Sequence, residues 1–445
     1  MFQAIGLDFG TTNTVIAKTK GAGRAEAVTF AFHDEALATF RSVLCFFLDE
    51  VGRLSTHQVE AGPWAIQHFI DEPDDCRFLQ SLKSFVASRE FQHTLVYGRR
   101  YQLESLLTVF LRQLWRRAGW SASDLPARIV LGRPVEFAGG NPDAGLALQR
   151  YQAALAPFGF ADIRYVYEPV AAAFFYAQRL TRDATILVAD FGGGTTDYSV
   201  IRFELADGGI RAQPLSHAGV GVAGDQFDFH IINNVIAPRL GKGSRYTSMG
   251  KVLELPRGVY ANFARWNQLS VMKHAREFQE IKRLLRWSEQ PELLERFIEL
   301  VEHDHGYPLY KAVSEAKERL SRAERTELSF AASSFAIEVT IERHDFEAWI
   351  APDLARMAAA LDTALERAAL GPHEIDKVFL TGGTSFVPAV RRLFERRFGA
   401  AKIESGDELL SIAHGLALIG ATDEIDQWTA GPEGMPLSQD DPDPS

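Results

Sequence analysis

Two similar loop segments, one near the N-terminus and one in mid-chain, carry residue types suited to phosphate chemistry. Residues 5–13 read Ile-Gly-Leu-Asp-Phe-Gly-Thr-Thr-Asn, and residues 188–197 read Val-Ala-Asp-Phe-Gly-Gly-Gly-Thr-Thr-Asp. Glycine lets the backbone come close to a ligand, and successive free N–H groups make an anion-binding concavity to which threonine hydroxyls add donors. The aspartates, Asp8 and Asp190, stand where a carboxylate can hold Mg²⁺ or its waters against phosphate. Two such loops facing each other are predicted to bind a nucleotide from both sides.

The elements around these loops predict two related α/β lobes. Each loop follows a buried apolar strand and precedes a second strand rich in β-branched residues. A strand-rich segment followed by a helical segment occurs twice along the chain. We expect lobe I over residues 1–180, with a helix at 409–420 returning to it, and lobe II over residues 181–408. Lobe II should include a helical subdomain at about 229–325. Each lobe would contribute one loop to a cleft between them.

The composition excludes several classes of protein. The 445 residues are 46% hydrophobic and 24% charged, with a formal net charge of −11, which argues against nucleic acid as the main partner. No apolar run is long enough for a membrane helix, and the two cysteines form no disulfide framework. These features predict a cytoplasmic protein, and we expect a monomer. Residues 421–445 are acidic, lack Lys and Arg, and are predicted to be disordered.

Six segments, in order, resemble the nucleotide-binding domain of the 70-kDa heat-shock chaperones, the DnaK family, within the actin and sugar-kinase superfamily. They are residues 6–13, 167–173, 190–197, 224–228, 316–321 and 381–388. The resemblance implies an actin-like ATPase fold, with two RNase-H-like lobes around a central nucleotide cleft that binds Mg²⁺-ATP and hydrolyses it slowly. The chain is most similar to a lone nucleotide-binding domain of the divergent YegD type, because no later segment resembles a peptide-binding domain.

The resemblance also assigns roles to individual residues. It implies that Asp8, Asp190 and Glu168 act around the metal, and that Asp190 accepts the proton of the attacking water. The remaining catalytic assignments are Lys83, Thr195 and Asp197. The residues expected to contact ATP or ADP are Gly10, Thr11, Thr12, Asn13, Gly192, Gly193, Gly194, Thr195, Gly224, Asp225, Lys317, Ser321, Gly382, Gly383, Thr384 and Phe386.

Simpler interpretations exist for several of these residues. Aspartates next to glycine often form turns or cap helices, which applies to Asp8, Asp190 and Asp197. Lys83 could be an ordinary surface lysine, and Glu168 stands at a helix start, where an acid also complements the helix dipole. Asp225 could equally cap the helix that follows it.

The segments that would hold the base depart from the family pattern. The family has a Glu where this chain has Ser314, and an Arg where it has Phe386, which could still stack on a base without its charge. The base preference is therefore left open.

Three functions fit the fold. The first is an ATP-driven switch of the chaperone type, whose nucleotide state alters lobe closure and the binding of protein clients or cochaperones. The second is a small-molecule kinase acting on a sugar or similar metabolite, and the third is a filament-forming actin relative. The segments at 167–173 and 224–228 favour the first.

Overall fold

The computed structural model describes residues 3–430 except 21–22, 52–53, 73–75, 140, 207–208, 266–271, 274, 304 and 405–408. The strands are β1 Ala4–Phe9, β2 Asn13–Thr19, β3 Ala25–Ala27, β4 Phe30–Phe32, β5 Glu35–Leu37, β6 Phe40–Arg41, β7 Val43–Val51, β8 Leu54–Ala61, β9 Cys76–Gln80, β10 Thr94–Val96, β11 Arg99–Tyr101, β12 Arg128–Arg133, β13 Asp162–Tyr167, β14 Ala184–Phe191, β15 Thr196–Ala206, β16 Gly209–Val220, β17 Arg245–Ser248, β18 Lys251–Glu254, β19 Arg325–Ala331, β20 Ala336–Glu342, β21 Lys377–Thr381 and β22 Ile403–Glu404. The helices are α1 Gly62–Asp71, α2 Leu103–Arg117, α3 Ala144–Leu155, α4 Glu168–Ala177, α5 Gly224–Ile231, α6 Arg257–Phe263, α7 Arg276–Leu284, α8 Pro291–Glu302, α9 Gly306–Leu320, α10 Arg343–Arg367, α11 Pro388–Phe398 and α12 Ser411–Gly420.

The first lobe is built on a mixed sheet with the strand order β13-β12-β1-β2-β3, and β6 also pairs with β2. Strand β1 runs parallel to β12 and antiparallel to β2. The first loop connects β1 to β2 and therefore lies at the carboxyl end of β1. Apolar residues of α2 recur at helical spacing and pack on the outer face of this sheet. The packed sheet therefore gives the first loop a rigid support.

The second lobe repeats this arrangement with the order β16-β15-β14-β21-β22. Strand β14 is buried along its whole length, runs antiparallel to β15 and runs parallel to β21. Asp190 at the end of β14 lies opposite Thr381 at the end of β21. Strands β1 and β14 each lie between one parallel neighbour and the antiparallel strand that follows in sequence. The two Asp-Phe-Gly loops therefore occupy equivalent places in the two lobes.

Helices α4 and α12 lie between the two sheets and join the lobes. Their apolar side chains form one cluster with residues of both sheets, including Val130 from the first and Val188 from the second. The helices approach so closely that a Cβ atom on Gly415 would lie 1.8 Å from the carbonyl oxygen of Ala171. Any side chain larger than glycine at that position would push the helices apart. The last helix, α12, contacts β1, β2 and β12 of the first sheet.

The helical part of the second lobe contains a hairpin that was not predicted. Helices α6 to α9 fall in the region expected to be helical, but β17 and β18 pair there as a two-stranded sheet. Each strand has only four residues and includes charged or exposed side chains, so the sequence carries no period-2 apolar signal for it. Helix α9 leads from this region to the cleft.

The predicted disordered segment does not begin at residue 421. Residues 425–428 form a 3₁₀ turn, the Trp428 ring packs edge-on against Phe174 with ring centroids 4.8 Å apart, and Ala430 donates a hydrogen bond to the Tyr165 carbonyl. Burial of Ile425 and Trp428 holds this acidic segment on the protein. Residues 431–445 lie outside the described residues.

No helix in the described part of the chain has the length and apolar character that a membrane span requires.

Candidate nucleotide site

A cleft of about 580 Å³ lies between the lobes and is lined by both loops. The sequence-predicted site residues that line it are Asp8, Gly10, Thr11, Thr12, Asn13, Lys83, Glu168, Asp190, Gly192, Gly193, Gly194, Thr195, Gly224, Asp225, Lys317, Ser321, Gly382, Gly383, Thr384 and Phe386. They come from segments throughout the chain, and the fold brings them to one cavity. Asp197 is the predicted site residue that does not line it.

The two glycine–threonine loops meet across the cleft. A Cβ atom built on Gly193 would lie 3.2 Å from the Cβ atom of Thr11 in the other lobe. Asp225, at the start of α5, donates its N–H to the Gly193 carbonyl at 2.8 Å, which fixes the second loop to that helix. Gly382 has φ of 83°, and a Cβ atom there would lie 2.1 Å from the Phe191 carbonyl oxygen, so only glycine allows this approach. The loops are therefore held within reach of one ligand.

An ion pair occupies the floor of the cleft. Lys83 Nζ donates to Glu168 Oε1 at 2.6 Å, and their side chains are 12% and 5% exposed. A short 3₁₀ helix, Leu82–Phe85, presents Lys83, and Glu168 is the first residue of α4. Burial lowers the pKa of Lys83, but the nearby acids, Glu168 foremost, more than offset that effect and raise it. Lys83 therefore carries its positive charge across the physiological pH range.

Two further acids, Asp8 and Asp190, face the same floor. Burial, with a contribution from the charge of Glu168, raises the pKa of Asp8 to about 7, although Lys83 opposes the shift. Burial also raises the pKa of Asp190 well above its usual range, reinforced by Glu168 and Asp8. One lysine thus faces three carboxyl groups, and the charge balance suits an added cation.

This charge balance fits a magnesium ion held largely through other ligands. Among the described residues, no group of three His, Cys, Asp or Glu side chains converges closely enough to hold a metal directly. Magnesium in proteins often keeps several waters and is bound by one or two carboxylates together with substrate phosphates. Asp8, Asp190 and Glu168 fit that mode, in which they would hold the waters of the ion.

Asp197 lies behind the wall of the cleft. Its Oδ1 atom accepts hydrogen bonds from the backbone N–H groups of Val135 and Glu136, at 2.9 Å and 3.1 Å, and its side chain is buried. Burial, with the charge of Glu168, raises its pKa to about 7. The Asp197 carboxylate is thus bound by the first lobe and does not line the cleft, and its catalytic role stays a prediction. Its position suggests that it links the lobes.

Helix α9 contributes another side of the cleft. Lys317 Nζ lies 2.8 Å from Asp228 Oδ1 and donates to the Gly224 carbonyl at 3.1 Å. The hydroxyl of Ser321 donates to the carbonyl of Lys317, one turn earlier. Lys317 is therefore fixed against α5, and both residues present polar groups to the cleft.

Phe386 is 53% exposed although most large aromatic side chains of the described chain are buried. It ends the 3₁₀ helix Gly383–Phe386, which follows the close approach of Gly382 to Phe191. A large apolar ring exposed at the rim of a cleft is suited to stacking on a planar ligand. The stacking role of Phe386 stays a prediction.

Arg41 lines the cleft and was missed in the sequence. It ends β6, where it lies in register with Asn13, and its Nη1 atom donates to Asn13 Oδ1 at 3.3 Å. No motif surrounds this residue, and only the pairing of β6 with β2 brings it to the first loop. The pairing of two short strands leaves no signal in the sequence from which its place could be predicted.

Comparisons with known proteins agree with this geometry. The family described as "Hsp70 protein" matches residues 148–243 and 302–426. The chain is 27% identical over 436 residues to "Chaperone protein DnaK" of Deinococcus proteolyticus, and 27% identical over 438 residues to "Chaperone protein DnaK" of Deinococcus radiodurans. Each alignment covers 94% of this chain.

The chain spans 59% of the length of each of these two relatives. The matched family segments include the second Asp-Phe-Gly loop, α4, α9 and the Gly382 turn. Together with two mixed sheets of repeated topology, they identify an actin-like ATPase fold with two lobes. The chain is a distant member of the Hsp70 family.

Proposed function

We propose that this protein binds Mg²⁺-ATP in the cleft, hydrolyses it slowly, and uses its nucleotide state to switch lobe closure and the binding of partner proteins. The observation that carries the proposal is the approach of Thr11 to Gly193 across the cleft, in the same cavity that the Lys83–Glu168 ion pair lines. A phosphate chain placed there would receive N–H groups and hydroxyls from both lobes.

In the proposed reaction, the chain's own residues act mainly by positioning and by charge. Lys83 would hold the attacking water and offset the charge of the terminal phosphate. Asp190 would take the proton of that water as the bond from phosphorus to the ADP oxygen breaks. Burial raises the pKa of Asp190 in the nucleotide-free protein, and a cation in the cleft would favour the ionised carboxylate that accepts the proton. Bound Mg²⁺ would supply that cation and neutralise charge on the phosphates.

The division of the chain supports a switch. We propose lobe I as residues 1–180 with α12, and lobe II as residues 181–408 with a helical subdomain at about 229–325. Loops from both lobes contact the same ligand volume, so a ligand that binds them simultaneously favours the closed arrangement. A partner that contacts both lobes, such as a client or cochaperone, would sense that change.

Calorimetric titration with ATP and ADP, with and without Mg²⁺, tests the binding. The rate of phosphate release by the Asp190→Asn variant tests the proposed role of Asp190 as the proton acceptor. We expect its turnover to fall by about a hundredfold, the lower end of general-base contributions, while ATP affinity changes little. Asp183→Asn is the matched control, because Asp183 is exposed and lies outside the cleft. A wild-type protein that binds neither nucleotide at millimolar concentration would end the proposal.

A further inference from the structure

Arg41 is fixed to the loop of the first lobe. Strand β6 pairs with the start of β2, which places Arg41 opposite Asn13. The next residue, Ser42, donates its N–H to the Thr12 carbonyl at 2.9 Å, and its hydroxyl lies 2.9 Å from that of Thr14. These contacts hold the Arg41 backbone against the loop, and Arg41 lines the cleft with its guanidinium bonded to Asn13.

The same guanidinium also acts on the second lobe. It hydrogen-bonds the phenol of Tyr307 at the start of α9, and its charge lowers the pKa values of Asp225 and Asp228 against the larger raising effect of burial. The Tyr307 ring in turn packs edge-on against Phe78 of the first lobe, with ring centroids 5.0 Å apart. Arg41 therefore stands where the lobes meet, between the first phosphate loop and α9.

The partners of Arg41 leave its charge available for an anion. Lys83 and Lys317, two other cations of the cleft, are each paired with a carboxylate at 2.8 Å or less. Within the described residues no carboxylate lies within ion-pair distance of Arg41, and its hydrogen bond to Asn13 is with a neutral amide. A planar guanidinium carries five N–H donors that suit phosphate oxygens, and ATP presents one more phosphate than ADP.

We propose that Arg41 binds the terminal phosphate of a nucleoside triphosphate and, through Tyr307, links the presence of that phosphate to the position of α9. This inference rests on the proposed nucleotide site. Loss of the terminal phosphate would leave the guanidinium with its contacts to Asn13 and Tyr307 alone, so that the first loop and α9 would no longer be joined through a shared ligand. Arg41 thereby sets the preference for triphosphate over diphosphate.

The ratio of ATP to ADP affinity tests this role. Titration calorimetry with a slowly hydrolysed ATP analogue and with ADP compares wild type, Arg41→Gln, Arg41→Lys and Tyr307→Phe. We expect Arg41→Gln to weaken binding of the analogue about tenfold or more, the loss expected for one charge-assisted contact, and to change ADP affinity much less. Arg41→Lys should recover part of the ratio, because it keeps the charge. Arg112→Gln is the control, since Arg112 is exposed on α2 and lies outside the cleft.

The Tyr307→Phe variant tests the link to α9. It should retain the affinity ratio while reducing the protection from proteolysis that the ATP analogue confers. A purely structural role for Arg41 would weaken both nucleotides equally and lower the melting temperature, and that result would overturn the inference. An unchanged ratio in Arg41→Gln, in a background where wild type binds both nucleotides, would overturn this inference and leave the proposed function standing.

Discussion

Lys83 and Glu168 form a 2.6 Å ion pair at the floor of the cleft, and two more carboxyl groups, those of Asp8 and Asp190, lie close enough to shift its electrostatics. A buried ion pair gains little net free energy, because desolvation opposes attraction, but removing one partner leaves an uncompensated charge. Lys83 therefore has a structural role in addition to any role in catalysis.

Replacing Lys83 with methionine should lower the free energy of unfolding by about 3 kcal/mol, because Glu168 would lose its counter-charge in a buried site. Urea denaturation of the nucleotide-free protein measures this change. The double variant Lys83→Met/Glu168→Gln should recover most of the lost stability while remaining inactive. Lys20→Met serves as the control, since Lys20 pairs with Glu26 on the exposed surface and its loss should have little effect. Equal destabilisation by the two lysine variants would show that burial of the pair is not the cause.

The nucleotide-free protein should lose stability as pH rises through 7. Burial raises the pKa of Asp8 to about 7, above the value of an exposed aspartate near 3.8. Between these values the folded state binds more protons than the unfolded state, so the free energy of unfolding falls with increasing pH. Melting temperatures should therefore be lower at about pH 8 than at about pH 6, by on the order of 2 °C.

Two further measurements test whether Asp8 causes this pH dependence of the melting temperature. Asp8→Asn removes the titrating group, so the pH dependence should become shallower while other groups titrate as before. Mg²⁺ and ATP should reverse the trend in the wild type, because a bound cation favours the ionised carboxylates. A melting temperature that rises between about pH 6 and about pH 8 without ligand would contradict the raised pKa of Asp8.

The parts of the site that the sequence predicted are those encoded by local pattern. Asp8 and Asp190 each end a strand and begin a glycine-containing turn, so their equivalence follows from short stretches of chain. Lys83 could be assigned only by resemblance, because its 3₁₀ helix carries no periodic signal. The fold then brings these segments together through helices α4 and α12, whose apolar composition is visible in the sequence.

The parts that the sequence did not predict depend on pairing between distant segments. Arg41 reaches the first loop through the register of β6 on β2, and the Asp197 carboxylate is bound by the N–H groups of Val135 and Glu136 from the other lobe. The order of residues 421–430 was missed for a related reason. Their acidic composition predicts disorder, but two apolar residues, Ile425 and Trp428, find a complementary surface on the first lobe and near α4. Such surfaces exist only once the chain has folded.

The contact between the two loops can be tested at adjacent glycines. A Cβ atom on Gly193 would lie 3.0 Å from Asp225 Oδ1 and 3.2 Å from the Cβ atom of Thr11, whereas one on Gly194 meets Ala138 at an ordinary 3.6 Å. Neither glycine has a positive φ angle, so alanine strains the backbone at neither position. The two substitutions are chemically identical and differ in what the added methyl group meets.

Gly193→Ala should therefore reduce the stability of the nucleotide-free protein by about 1 kcal/mol, because Thr11 or Asp225 must move to make room, while Gly194→Ala should change it much less. Chemical denaturation of both variants measures the difference. Adding Asp225→Ala to Gly193→Ala removes one of the two obstructing groups, so the double variant should lose less stability than the sum of the single changes. If both alanine variants unfold at the same denaturant concentration as wild type, the loops stand farther apart in solution than the 3.2 Å approach to Thr11 requires.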